Sequence, residues 1–316
     1  MEMRQLGESS LRVAPLAFGG NVFGWTVDEK AAFELLDAFV PAGFNLIDTA
    51  DSYSRWVPGN KGGESETIIG NWMKQRRNRQ SVVIATKVGS DMGQGKRDIS
   101  KKYILRAAED SLHRLRTDYI DLYQTHWDVE TIPVEETLEA YAQLVKEGKV
   151  RWIGASNLSP ERLNMSIEAS EKKSYPCYQT LQPEYNLYDR EKFEKFYERI
   201  CLEENLGVIS YYSLASGFLT GKYRSEADLK RGVRGSGVKK YLNKRGVRIL
   251  SALDVVAEQY RVTPATVAIA WLQARPSVTA PIASATNVSQ LESLMKASEI
   301  KLEGQAIEAL NEASRW

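Results

Sequence analysis

The 316-residue chain predicts an α/β fold: a (β/α)8 TIM barrel, entered through an N-terminal β-hairpin and closed by extra C-terminal helices. Three observations carry that reading. Short apolar, often β-branched segments alternate with stretches of helical period about eight times, as in a parallel sheet covered by helices. No change of composition and no linker divides the chain, so residues 1–316 are expected to form a single barrel domain. Many of the apolar segments end on polar or titratable residues, as barrel strands do at the rim where sites are built.

Residues 3–6 and 11–13 flank Gly7-Glu8-Ser9-Ser10 and predict the hairpin. Pro15-Leu-Ala-Phe-Gly-Gly20 reads as the first buried strand. Residues 28–42 repeat apolar side chains at helical spacing (Ala32, Leu35, Leu36, Phe39), with Asp28 as N-cap. A strand over 45–48, a Gly-rich loop over 54–63 and a helix over 64–74 follow. The same alternation places strands at 82–86, 119–125, 150–155, 177–181, 207–211 and 278–282. Between them lie helices from Ser100 to 115, over 133–147 and from Ser159-Pro160, then over 191–204, 247–260 and 264–274. A basic, Gly-rich stretch over 221–246 reads as a long loop. Helices over 288–297 and 303–314 close the chain.

Composition narrows the function. Hydrophobic residues are 43%, charged residues 26% and net charge +1, so no strong field favours nucleic acid or an anionic membrane. No apolar run approaches the roughly 18 residues of a membrane span, and the N-terminus carries no apolar signal region. A cytoplasmic protein is expected, with Cys177 and Cys201 as free thiols and no metal-ligand cluster. With no coiled coil in view, a monomer is the default.

The strand ends hold the chemistry. Asp48 and Tyr53 follow one strand, Lys87 the next and His126 the one after. A lysine beside a tyrosine favours the phenolate and makes the phenol a better acid. Asp48 would hold Lys87 in place and keep it charged, and a neutral His126 would orient a carbonyl. This set can protonate an oxyanion as it forms, but lacks a nucleophilic Ser or Cys paired with a base. The missing partner is a hydride donor. There is no G-x-G-x-x-G after the first strand. Ser156, Asn157 and Gln182 could nonetheless bind a carboxamide, and Tyr211 could stack on a nicotinamide. The loop 214–222 (Leu214, Ser216, Gly217, Lys222) could wrap a pyrophosphate, and Ser284 and Thr286 before a helix, with Gln290 in its first turn, stand at a helix N-terminus suited to an adenosine phosphate. Asp51 finds no partner and reads as a loop residue; His113 reads as a solvated helix residue.

The motifs Asn45-Leu-Ile-Asp-Thr-Ala-Asp-Ser-Tyr53, Ala85-Thr-Lys-Val88, Tyr119-Ile-Asp-Leu-Tyr-Gln-Thr-His126, Ile153-Gly-Ala-Ser-Asn157, Gln182-Pro-Glu-Tyr-Asn186 and Leu214-Ala-Ser-Gly-Phe-Leu-Thr-Gly-Lys-Tyr223 occur in one order along essentially the whole chain. In that order they resemble the aldo-keto reductase family. The resemblance implies a catalytic tetrad of Asp48, Tyr53, Lys87 and His126, with Tyr53 as acid in reduction and base in oxidation. It implies NADPH across the barrel mouth, bound through the residues above and Gly20, and a small aldehyde or ketone as substrate. Phe23, Trp25, Trp56 and Trp127 are candidates for the substrate pocket. Two departures stand out. Ser284-Ala-Thr-Asn-Val-Ser-Gln290 carries no base for a 2′-phosphate, so the charge favouring NADPH over NADH is expected from the basic loop 224–245. The loop 54–63 is longer than is usual in the family and should reshape the substrate pocket. The alternative reading is an NADP(H)-sensing regulatory subunit resembling potassium-channel β-subunits. A barrel hydrolase or isomerase with Lys87 as a Schiff base leaves Gln182, Tyr211 and the phosphate-like loops unexplained.

Overall fold

A computed structural model describes residues 1–316. Eight strands form one parallel sheet: β3 (Ala17–Gly19), β4 (Leu46–Asp48), β5 (Val83–Val88), β6 (Ile120–Thr125), β7 (Val150–Ser156), β8 (Tyr178–Gln182), β9 (Gly207–Val208) and β10 (Ile282–Ala283). Neighbours in space are neighbours in sequence, apart from β10, which pairs with β3. The remaining seam is closed by the bridge between Val208 and Val278 and by the Ile282 amide donating to the Ser210 carbonyl at 2.8 Å. The sheet is therefore a (β/α)8 barrel, with helices covering its outer face.

Alternation along the strands divides the apolar side chains into two groups. One large cluster fills the layer between the barrel and its helices, including Ile47, Ile84, Tyr123 and Ile153. A smaller cluster fills the barrel interior: Ala17, Leu46, Val83, Ala85, Leu122, Ile209, Ala280 and Ile282. Leu6, Leu11 and Val13 of the hairpin β1 (Arg4–Gln5) and β2 (Arg12–Val13) join that inner cluster, so the hairpin plugs one end of the barrel. Its turn needs a glycine: Gly7 has φ +56°, and a Cβ there would stand 2.2 Å from the Gln179 carbonyl oxygen.

The helices begin where caps were expected. Asp28, Ser100, Ser159 and Thr263 each accept a hydrogen bond from a first-turn amide. Some boundaries differ. The helix expected over 191–204 is two pieces, Glu191–Phe196 and Glu198–Glu203, meeting at Tyr197. The helix expected from 247 starts at Lys244, because Asn243 caps it by accepting from the Arg245 and Gly246 amides. The stretch 221–246 is not a bare loop. It folds into short turns, Glu226–Arg231, Gly235–Val238 and Lys239–Tyr241, anchored by the buried side chains of Asp228, Val238 and Tyr241. Turns of three to six residues are too short to show a period, which is why they are invisible to periodicity.

Candidate functional site

The rim at the C-terminal ends of the strands opens into a cavity of about 1020 Å³, large enough for a dinucleotide and a small substrate. At its floor stands a hydrogen-bonded chain built from adjacent strands. Asp48 is the last residue of β4, and Lys87 lies near the end of β5, which pairs with it. The Lys87 ammonium is fully buried and donates to Asp48 Oδ2 at 2.8 Å, to the Thr49 carbonyl at 2.7 Å and to the Tyr53 hydroxyl at 2.8 Å. Those three bonds saturate its three protons. Tyr53 in turn donates to Asp48 Oδ2 at 3.1 Å. Asp48 Oδ1 accepts from Gln182 Nε2 at 2.8 Å across the barrel.

Burial sets the electrostatics. It pushes the Lys87 ammonium below its ordinary value, while the Asp48 charge opposes the shift. Burial first, and then the Asp48 carboxylate, push the Tyr53 phenol well above its ordinary value. The resting site therefore holds Tyr53 protonated, with the proton directed at Asp48. Burial and Asp48 thus act against the expected lowering by Lys87. The contact to Asp48 is long for O–H···O, which leaves the Tyr53 proton weakly held. His126 lies against the Tyr53 ring, 6.1 Å between centroids. Burial and then the Lys87 and Arg97 charges hold it well below its ordinary value, so it is neutral near pH 7. Its Nδ1 is 3.0 Å from Ser90 Oγ. With Ser90 as donor, the ring carries its proton on Nε2, free for a carbonyl oxygen.

The cofactor candidates separate into groups. Ser156, Asn157, Gln182 and Tyr211 line the cavity together. Ser156 Oγ donates to the Gln182 carbonyl at 2.8 Å, and the Tyr211 hydroxyl donates to Asn157 Oδ1 at 3.1 Å. Leu214, Ser216, Gly217 and Lys222 also line it, with left-handed backbone at Ala215, Ser216 and Gly217 that curves the loop into a concave nest. Ser284, Thr286 and Gln290 line the far end. There Ser284 Oγ is already held by the Gly19 carbonyl at 2.7 Å, and Gln290 Oε1 accepts from the Thr286 amide and hydroxyl. Gly20 is not at the wall. It is buried, its carbonyl accepts from Ser65 Oγ at 2.8 Å, and Gly19 and Asn21 face the cavity instead.

The aromatic candidates divide as well. Trp56 and Trp127 line the cavity. Trp25 stands behind, edge-on to Trp56 with centroids 5.7 Å apart. Phe23 belongs to the core: fully buried, it stacks on Phe18 at 5.2 Å. Residues 221–246 bring cations that motif reading did not single out. Arg231 and Arg234 join Lys222 at the cavity wall. Arg231 is tied to Asp228 at 2.9 Å, but Arg234 has no carboxylate, and its Nη2 is buried without a hydrogen-bond partner. Burial and then the Arg234 charge lower the Lys222 ammonium. Two facing cations without an anion fit a phosphate-bearing ligand.

Asp51 is buried, and both of its carboxylate oxygens lack a hydrogen-bond partner. Burial, then the Glu66 charge, push its carboxyl up to about 8; the Arg114 charge opposes this. The unfolded value is near 3.9, so between roughly pH 4 and 8 the folded chain keeps a proton that the unfolded chain releases. Stability therefore falls as pH rises through that window. Asp51→Asn removes this slope, so urea unfolding should show the variant gaining about 2–3 kcal/mol on the parent between pH 5 and pH 7. Parallel pH profiles for the two proteins would contradict the assignment.

The model of the aldo/keto reductase family matches residues 15–315. An uncharacterized oxidoreductase of Bacillus subtilis, YrpG, is 35% identical over 320 residues, covering 99% of this chain and 95% of the relative. The aldo-keto reductase YhdN of the same organism is 33% identical, covering 90% and 84%. A probable voltage-gated potassium channel subunit beta of Arabidopsis thaliana is 31% identical, covering 95% and 92%.

Proposed function

The chain belongs to the aldo/keto reductase family, and from that premise we propose that it is an NADPH-dependent reductase of aldehydes and ketones. The observation that carries this reading is the Asp48–Lys87–Tyr53 chain at the floor of a cavity of dinucleotide size. A reduced nicotinamide, when bound, supplies the hydride that the carbonyl carbon receives. Tyr53 gives its proton to the carbonyl oxygen, so the product is the alcohol, and the phenolate left behind is stabilised by the Lys87 ammonium 2.8 Å away. Asp48, oriented by Gln182, keeps Lys87 charged and in place. His126 orients the carbonyl by donating from Nε2, and being neutral it does not compete as an acid. In oxidation the same groups act in reverse, with the Tyr53 phenolate as base.

Asn157, Gln182 (through its free Oε1) and Tyr211 would hold the carboxamide and the nicotinamide face. Lys222 and Arg234 would meet the phosphates, and they supply the charge that favours NADPH over NADH in place of the base missing from Ser284–Gln290. Similarity to a protein named as a potassium channel subunit supports a second reading, in which the bound cofactor is sensed and turnover is weak.

Two measurements test the proposal. With NADPH and 4-nitrobenzaldehyde, a steady loss of absorbance at 340 nm is expected. Tight NADPH binding with no turnover across a broad carbonyl panel would favour the sensing reading. Arg234→Leu should weaken NADPH binding by about tenfold or more in a fluorescence titration, with a smaller effect on NADH. Equal losses for both cofactors would place Arg234 away from the 2′-phosphate.

A further inference from the structure

The substrate end of the cavity has a charge pattern that the reductase chemistry does not require. Trp56 and Trp127 form its walls beside Tyr53 and His126. Their planes suit a flat body: Trp56 lies edge-on to Tyr53 with centroids 6.2 Å apart, and Trp127 stacks on His126 at 5.6 Å. Two guanidinium groups sit beside these walls. Arg55 lines the cavity next to Trp56, and Arg97 lies over the Trp127 ring, 4.0 Å from its centroid. Neither side chain forms an ion pair or a hydrogen bond. Arg97 is exposed, but Arg55 is half-buried, and other partly buried arginines close on carboxylates, as Arg114 does on Glu66, Arg162 on Asp128 and Arg190 on Glu194.

Of the acids around this mouth, Asp91 lines the cavity and its charge reaches Arg55 without a direct ion pair, while the others are held by their own surroundings. Asp91 Oδ1 accepts from the Gly93 and Gly95 amides at 2.8 and 3.0 Å. Asp98 accepts from the Ser100 amide at 2.8 Å. Glu64 accepts from the Lys61 and Gly62 amides. Asp128 is held in a two-point pair by Arg162 at 2.9 and 3.0 Å. The result is an aromatic wall with a proton donor at its inner end and, beside it, two guanidinium groups that close on no carboxylate, with Asp91 offsetting Arg55 only at a distance.

Resting on the reductase reading, we propose that the substrates are carbonyl compounds with a planar body and an anionic oxygen group, a carboxylate or a phosphate ester, at the end remote from the carbonyl. The carbonyl meets Tyr53 and His126. The body lies between Trp56 and Trp127, and the anion reaches Arg55 and Arg97. A guanidinium presents a rigid fork that matches the oxygens of either anion. The extended loop 54–63 carries both Trp56 and Arg55, so it builds the slot and its charge together.

The test compares 4-carboxybenzaldehyde and 4-formylphenyl phosphate with the neutral 4-formylbenzamide, using the full chain and NADPH. The wild type should favour at least one anion by tenfold or more in kcat/KM, mainly through KM, with the preference shrinking at high salt. Arg55→Met with Arg97→Met keeps the apolar stems and should bring the ratio to near one. Which anion wins separates the carboxylate from the phosphate. Equal use of amide and anions by the wild type overturns the proposal while leaving the reductase reading intact, as does a preference that survives the double variant. If no aldehyde is reduced, the reductase reading fails, and calorimetry with benzoate and benzamide decides the anion site alone. Benzoate binding lost in the double variant supports it, and no preference for benzoate overturns it.

Discussion

The Lys87 ammonium has no exposure to solvent, and the site is arranged around keeping it charged there. An unpaired buried cation costs several kcal/mol, so its three hydrogen bonds are a condition of its presence. Two of them come from the β4 end, through Asp48 and the Thr49 carbonyl, and the third goes to the Tyr53 hydroxyl. The ammonium that would stabilise a Tyr53 phenolate in the proposed reaction is thus held by the sheet itself. Asp48 is fixed in turn by Gln182 from β8, so opposite sides of the barrel share one hydrogen-bond network. Strands hold Asp48 and Lys87, while the longer loops 54–63 and 221–246 bring Arg55, Trp56, Arg231 and Arg234 to the cavity wall.

Net charge hides how this protein distributes its cations. The total is +1, yet Lys222 and Arg234 face one part of the cavity without an anion, and at another Arg55 lines the wall and Arg97 lies over the Trp127 ring, with Asp91 the nearby acid. Uncompensated cations in a partly enclosed space are unfavourable unless a ligand brings negative charge. A phosphate-bearing cofactor and an anionic substrate would settle both groups.

The eight-unit barrel was legible because each strand and helix advertises its own period over a few residues. The four residues of the proposed tetrad were legible because each falls at or just after a strand end, and barrel topology gathers strand ends on one rim. What escaped depends on contacts far apart in sequence. Gln182 and Asp48 are 134 residues apart, and no local pattern announces their bond. Ser90 holding His126 is equally silent. Phe23 sits two residues from Trp25, but its ring is buried in the core, while Trp25 packs edge-on behind Trp56. Asp51 reads as a loop residue and does lie in the turn after β4, but its burial beside Glu66 of helix Glu64–Arg76 is a long-range contact with no local signal.

The central claim is that Tyr53 delivers the proton from a position prepared by Lys87 and Asp48. Its most direct test is Tyr53→Phe, followed by single-turnover absorbance at 340 nm with NADPH saturating and its binding measured separately by fluorescence. The account predicts NADPH affinity within about twofold of the parent and a rate of carbonyl reduction lower by a factor of about 10² to 10⁴, the range expected for a lost general acid. An unchanged rate with NADPH fully bound would contradict it.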